Sequence, residues 1–168
     1  MTAIVLESAA SSTANPLDLV EEISFSNDWA HDRTGSDELL VTIEGRWSDY
    51  NMLFAWQNQA SVMQFCCACE LRVPRARQRE IQDLLGMVND RLWVGHFGIS
   101  FDEQVLTFRH SMLLRGTRGA TVEQLEDMVE IATTEFDRFY PAFQFVIWGG
   151  RTADDALAAA MLDPVGEA

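Results

Sequence analysis

A chain of 168 residues with 48% hydrophobic side chains is long enough for one domain with a real core, and too apolar to be intrinsically disordered. Its formal net charge is −14, and all 12 basic residues are arginine. That much acid repels phosphate backbones and anionic headgroups, so nucleic-acid and membrane partners are disfavoured.

Residues 1–15 mix Ser, Ala and Thr, with Glu7 interrupting one short apolar run and no positive charge ahead of it. This is not the pattern of a signal peptide, and a loosely ordered tail is expected. No stretch approaches the 18 or more apolar residues that would span a bilayer, so the expected location is cytoplasmic. Residues 16–168 are expected to form a single α+β domain.

Pro16 suits the first turn of a helix capped by Asn15, with Leu17, Val20 and Ile23 on its apolar side. That helix stops near Asn27 or Asp28. A strand over residues 29–33 and a turn at 34–37 follow, then a strand over 38–46 with Leu39, Val41 and Ile43 on one side. Trp47, Ser48 and Asp49 connect it to a hairpin of strands 50–57 and 61–73. There Met52, Phe54 and Trp56 share one parity, as do Met63, Phe65, Cys67, Cys69 and Leu71. Pro74 ends the second strand, and Arg75, Arg77 and Arg79 lead into the next element.

Ile81, Leu84, Leu85, Val88 and Leu92 fall on one face of a helix. From Trp93 the period becomes two, with Trp93, Phe97, Ile99 and Phe101 predicting one strand over 93–101, turned back by Asp102 and Glu103. On the return, Leu106, Phe108, His110, Met112 and Leu114 point one way. After a Gly-punctuated loop at 115–120, Thr121 and Gln124 form a capping box. The long helix behind it carries Val122, Leu125, Val129, Ala132, Phe136, Phe139 and Phe143. Pro141 should bend or end it near Tyr140, and Gly149 and Gly150 stop it. Thr152 and Asp155 cap a short Ala-rich helix to Leu162, closed by Pro164. The count is about six strands and four helices: an antiparallel sheet of about five to six strands packed with helices.

The sequence carries no GxSxG elbow, GxGxxG, P-loop or HExxH, and His31, His96 and His110 have no partner motif. Cys66, Cys67 and Cys69 lie on one strand at spacings too tight for zinc and poor for a disulfide, so they read as small buried hydrophobes of a reducing compartment. No metal, no cofactor and no catalytic residue is expected. One anion-site candidate is the loop of Arg115, Gly116, Arg118 and Gly119, which leads into a helix N-terminus. Glu123, Glu126, Asp127 and Glu130 on that helix suit its dipole and its solvated side.

The run EIQDLLGMVNDRLWVGHFGISFDEQVLTFRHSMLLRG, followed by VEQLEDMVEIATTEFDRFYPAF, resembles the bacterial YbjN family. Asn89, Gly95, Phe97, Arg109, Phe139, Tyr140 and Pro141 stand at what look like that family's recurrent positions. The resemblance implies an α+β fold similar to type III secretion chaperones and a role as a sensory transduction regulator. It assigns no reaction and no catalytic residue.

The second face of the sheet carries Leu53, Ala55, Val62, Cys66, Ala68, Val94, Val105 and Leu113, which is less polar than a solvated face, so it is expected to be covered by the terminal helices, by a second copy or by a partner. Together with the resemblance, this predicts a non-enzymatic, chaperone-like binding or regulatory protein, expected to be a homodimer. Leu53, Val62, Val94 and Val105 are the candidate partner-binding residues, holding a protein client by strand addition or in an apolar groove. The alternative is a small-molecule or anion sensor using the Arg115 and Arg118 loop.

Overall fold

The computed structural model describes residues 13–162. The expected tail falls outside the described residues as far as residue 12, and so does Pro164. The elements are α1 (Pro16–Ser26), β1 (Ala30–Thr34), β2 (Glu38–Glu44), β3 (Asp49–Gln57), β4 (Val62–Arg72), α2 (Gln78–Asn89), β5 (His96–Ile99), β6 (Val105–Leu113), α3 (Val122–Ile147) and α4 (Ala153–Leu162). A 3-10 turn at Arg75–Arg77 precedes α2. The expected six strands and four helices are all present.

The strands form one antiparallel sheet in the order β1-β2-β3-β4-β6-β5. Alternation decides which side is buried. Tyr50, Met52, Phe54 and Trp56 of β3 join Met63, Phe65, Cys67, Cys69 and Leu71 of β4 in one core with Leu106 and Phe108 of β6. Apolar stripes from all four helices close over this same face, including Leu17 and Val20 of α1, Ile81 and Leu84 of α2, Phe136 and Phe143 of α3, and Ala156 of α4. Among the described residues no helix packs on the opposite face, so the terminal helices do not cover it as one expectation had them do. That asymmetry positions the site.

Phe97 on β5 holds the two layers together at one end. Its ring centroid lies 5.4 Å from Phe108 beneath it and 5.0, 6.3 and 5.6 Å from Phe136, Phe139 and Phe143 above. Truncating such a buried ring costs about 3–5 kcal/mol.

Two expectations are corrected. The predicted 93–101 strand shrinks to four residues, with Trp93 100% and Phe101 89% exposed. Gly95 turns the chain with φ +70°, and a Cβ there would collide with the Phe108 ring, so Trp93 and Val94 leave the sheet. At the other end Ser100 N–H bonds Val105 O and Gln104 N–H bonds Ser100 O, which puts Phe101 in the turn. Likewise, α3 neither ends nor breaks at Pro141 but runs on to Ile147. Proline removes the donor to the carbonyl four residues back, that of Asp137. Here the indole Nε1 of Trp47 supplies the missing bond at 3.1 Å.

Candidate functional site: the bare face of the sheet

The register places one row of side chains straight across the uncovered face. Asp32 pairs with Leu40, Leu40 with Leu53, Leu53 with Cys66, Cys66 with Arg109 and Arg109 with His96. The row therefore runs from acid, through three apolar residues, to base. Leu40 is 44% exposed, Leu53 and Cys66 are half-buried, and Arg109 is exposed. Further along, Val62 pairs with Leu113, itself 77% exposed.

Two depressions of ≈ 640 and ≈ 670 Å³ lie on this face and share Leu53, Cys66 and Arg109. The first is walled by Asn51, Arg72, Ser100, Glu103 and Val105; the second by Gln64, His96, His110 and Ser111. On the first, the hydroxyl of Thr107 is buried with no hydrogen-bond partner. A register shift between Ala68 and Arg72 lets β4 bend beside it. The face therefore has an apolar floor with charged and polar walls, and among the described residues no nucleophile with a paired base is assembled on it.

Of the expected partner-binding residues, Leu53 and Val105 line the first depression together, although Val105 is only 7% exposed. Val62 lies nearer the rim, opposite Leu113. Val94 is off the sheet, in the turn next to Gly95 of the second depression.

Arg115, Gly116 and Arg118 sit exposed in the turn between β6 and α3, and Gly119 packs on Ala14. Neither arginine makes a salt bridge among the described residues. The helix N-terminus they face is already capped: Thr121 Oγ1 accepts from Gln124 N–H at 3.2 Å, and Gln124 Oε1 accepts from Thr121 N–H at 3.0 Å.

Cys66, Cys67 and Cys69 are free thiols. Burial pushes the Cys67 thiol well up and holds Cys69 at about 11, so both stay protonated and unreactive at neutral pH. Burial, with His96 nearby, lowers His110 and keeps its imidazole neutral. Among the described residues no group of three or more His, Cys, Asp or Glu could hold a metal ion. None of their helices is long and apolar enough to cross a membrane.

Sequence reasoning missed how the sheet edge next to this face is closed. The amide side chain of Asn89, at the end of α2, accepts from Phe97 N–H at 2.7 Å and donates to Phe97 O at 3.0 Å. It stands where another strand would pair and blunts the β5 edge. A polar residue ending an apolar helix just before a strand was the available signal. The other edge, β1, has no such plug among the described residues; its Arg33 is held by Asp18 and Glu21 of α1 at 2.7 and 2.9 Å.

A solved structure with this architecture is the crystal structure of YbjN, a putative transcription regulator from E. coli. It is 12% identical, with a TM-score of 0.53 over 89% of this chain and 96% of that one. At that identity it shows the fold alone. No curated protein matches the chain. The sequence model of a family described as "Putative bacterial sensory transduction regulator" matches residues 16–145, which includes β1 to β6 and all but the end of α3. The chain belongs to the YbjN family.

Proposed function

We propose that this protein is a non-catalytic regulator of chaperone-like type that works by binding another protein on the bare face of its sheet. The observation that carries this reading is the one-sided core. Four helices cover one face, while the other keeps Leu40, Leu53, Cys66, Val62 and Leu113 partly or largely exposed around two depressions. A half-apolar face of that kind is used for association. The plugged β5 edge favours capture on the face over strand addition there. The family description, a sensory transduction regulator with no reaction, supports regulation over catalysis.

In the absence of a client we propose that the same face closes on a second copy. The central row runs from Asp32 to His96, so a two-fold stack sets Asp32 over His96, Leu40 over Arg109 and Leu53 over Cys66. Free thiols and strong acidity fit a reducing cytoplasm.

The test is capture from host lysate with wild type and Leu53→Arg side by side, both checked for thermal stability. A stoichiometric protein lost with Leu53→Arg supports the reading. Equal capture by a folded Leu53→Arg variant, or recovery of bait alone across several growth conditions, sinks it.

A second reading, an anion sensor at the loop of Arg115 and Arg118, has in its favour two exposed guanidiniums without ion-pair partners among the described residues. Against it stands the capping box that occupies the adjoining amides. Phosphate titration of wild type and Arg115→Ala separates the two.

A further inference from the structure

A third depression adjoins the first through Glu70 and Arg72, where the β2–β3 connection meets the far end of α3. It encloses ≈ 620 Å³, and its walls include Trp47, Tyr140, Trp148, Glu44, Asp49 and Glu70. Arg46 and Arg72 reach its rim. Neither the family description nor the reading above gives this cleft a role.

Its walls share one chemical character. Its aromatic wall is rigid: Trp47 stacks on Tyr140 with centroids 6.1 Å apart and planes 2° from parallel, and its indole is pinned to Asp137 O. Trp148 completes the wall while 69% exposed, a large apolar area for an acidic protein to leave in water. None of Glu44, Asp49 and Glu70 makes a salt bridge among the described residues. Finally, Trp148 is the C-cap of the 26-residue α3, whose last turn holds no basic residue of its own, although Arg77 Nε donates to Val146 O there at 3.0 Å, so part of the negative end of the helix dipole is met from outside the helix.

The chain supplies its own indication of what fits. The Arg46 guanidinium carbon sits 5.0 Å from the centroid of the Trp47 ring, so this ring already draws a cation. With three carboxylates against two guanidiniums, the cleft is negative even with Arg46 seated.

We propose that this cleft binds an organic cation, an alkylammonium or guanidinium group, between the Trp47 and Trp148 rings with Asp49 and Glu70 as counter-charges. Arg46 occupies the ring in the empty state and is displaced by the ligand. The group arrives either on a free polyamine-like molecule or on an Arg or Lys side chain.

The probe is agmatine, titrated into the full-length protein by calorimetry and tryptophan fluorescence, with NaCl at equal ionic strength as the blank. Saturable binding above the blank is expected, weakened about tenfold by Trp148→Leu and partly rescued by Trp148→Phe. Both variants change an exposed side chain, and unchanged melting temperatures would show that they fold. Arg46→Ala should tighten binding several-fold, because it removes the internal competitor. A linear signal matched by NaCl, or binding indifferent to Trp148→Leu, overturns the proposal. Weaker binding by Arg46→Ala does so too, since Arg46 would then be a supporting part of the cleft and not the competitor that the cation displaces. A parallel titration with the capped tripeptide Gly-Arg-Gly distinguishes the sources: tighter binding of the peptide assigns the site to a protein side chain, and tighter binding of agmatine to a free amine.

Discussion

Trp47 and Asp137, ninety positions apart, are joined by a hydrogen bond from the indole Nε1 to a main-chain carbonyl at 3.1 Å. The carbonyl is the one that Pro141 leaves without an intrahelical donor. Two residues that look like unrelated oddities, a proline inside a helix and a tryptophan in a connection, are therefore one device. It ties the long helix to the sheet, seconded by Tyr50 Oη donating to Asp137 Oδ1 at 2.6 Å. Replacing Trp47 with Phe should cost about 0.5–1.5 kcal/mol, the usual net range for one hydrogen bond at a site that water still reaches. Pro141→Ala restores the helix's own donor, so the double variant should be closer to wild type than Trp47→Phe alone. A double-mutant cycle in urea reads this directly, and simple additivity would mean the bond contributes nothing.

Asn89 and Phe97 make the second such device. Both main-chain groups of Phe97 go to one amide side chain, so Asn89→Leu leaves a buried donor and acceptor unpaired at a sheet edge. The expected cost is about 1–3 kcal/mol, with faster amide exchange at Phe97 and more aggregation as β5 becomes free to pair. Asn89→Asp keeps the acceptor and loses the donor, and should fall between. Unaltered exchange at Phe97 in Asn89→Leu would show that the edge is protected by something else.

What was legible in the sequence follows from these cases. Period-two and period-3.6 patterns gave most of the elements, because side-chain direction in a strand or helix is set by the local backbone and so is written locally; the first strand and the last helix were placed from their turn and cap signals instead. Their limits were less visible. Trp93 and Phe101 continue the alternation of Phe97 yet lie outside the strand, since the glycine that turns the chain is dictated by Phe108 on the neighbouring strand. That α3 would not end at Pro141 could not be read locally, because the donor that replaces the lost one, Trp47, is far away in sequence. The parity of Leu53, Cys66 and Val105 identified the second face of the sheet. It did not show that the helices would all choose the other face, which depends on the handedness of connections and not on composition.

Charge reversal tests the self-association proposed for that face. A two-fold stack sets Asp32 of one copy over His96 of the other, so Asp32→Arg should shift the monomer–dimer midpoint to higher protein concentration. Pairing it with His96→Asp should bring the midpoint back, because the swapped row is again complementary. Exposed pairs contribute only about 0.2–1 kcal/mol each, so the shift expected is a few-fold in sedimentation equilibrium. Leu53→Arg puts a charge at the centre of the stack and should abolish it. A wild type that stays monomeric at millimolar concentration refutes the dimer and leaves client binding on the face standing.

The buried thiols, the phenol and one imidazole predict where stability is lost with pH. His110 lies half-buried on β6, opposite Phe65, and burial lowers its pKa. Below the ordinary histidine value of about 6.5 the unfolded chain therefore binds a proton that the native state refuses. Stability must then rise with pH through that region and fall as the solution is acidified. At the other extreme, Cys69 is held at about 11, and Cys67 and Tyr50 are also raised, the first cause in each being burial. These groups stay protonated in the native state after the unfolded thiols ionise near 8.5, so stability must fall as the pH climbs past that value. Urea midpoints should be highest between the two limits. His110→Gln should flatten the acid side alone, and Cys67→Ala with Cys69→Ala the alkaline side alone. An acid slope that persists unchanged in a folded His110→Gln variant would assign that side to the carboxylates instead.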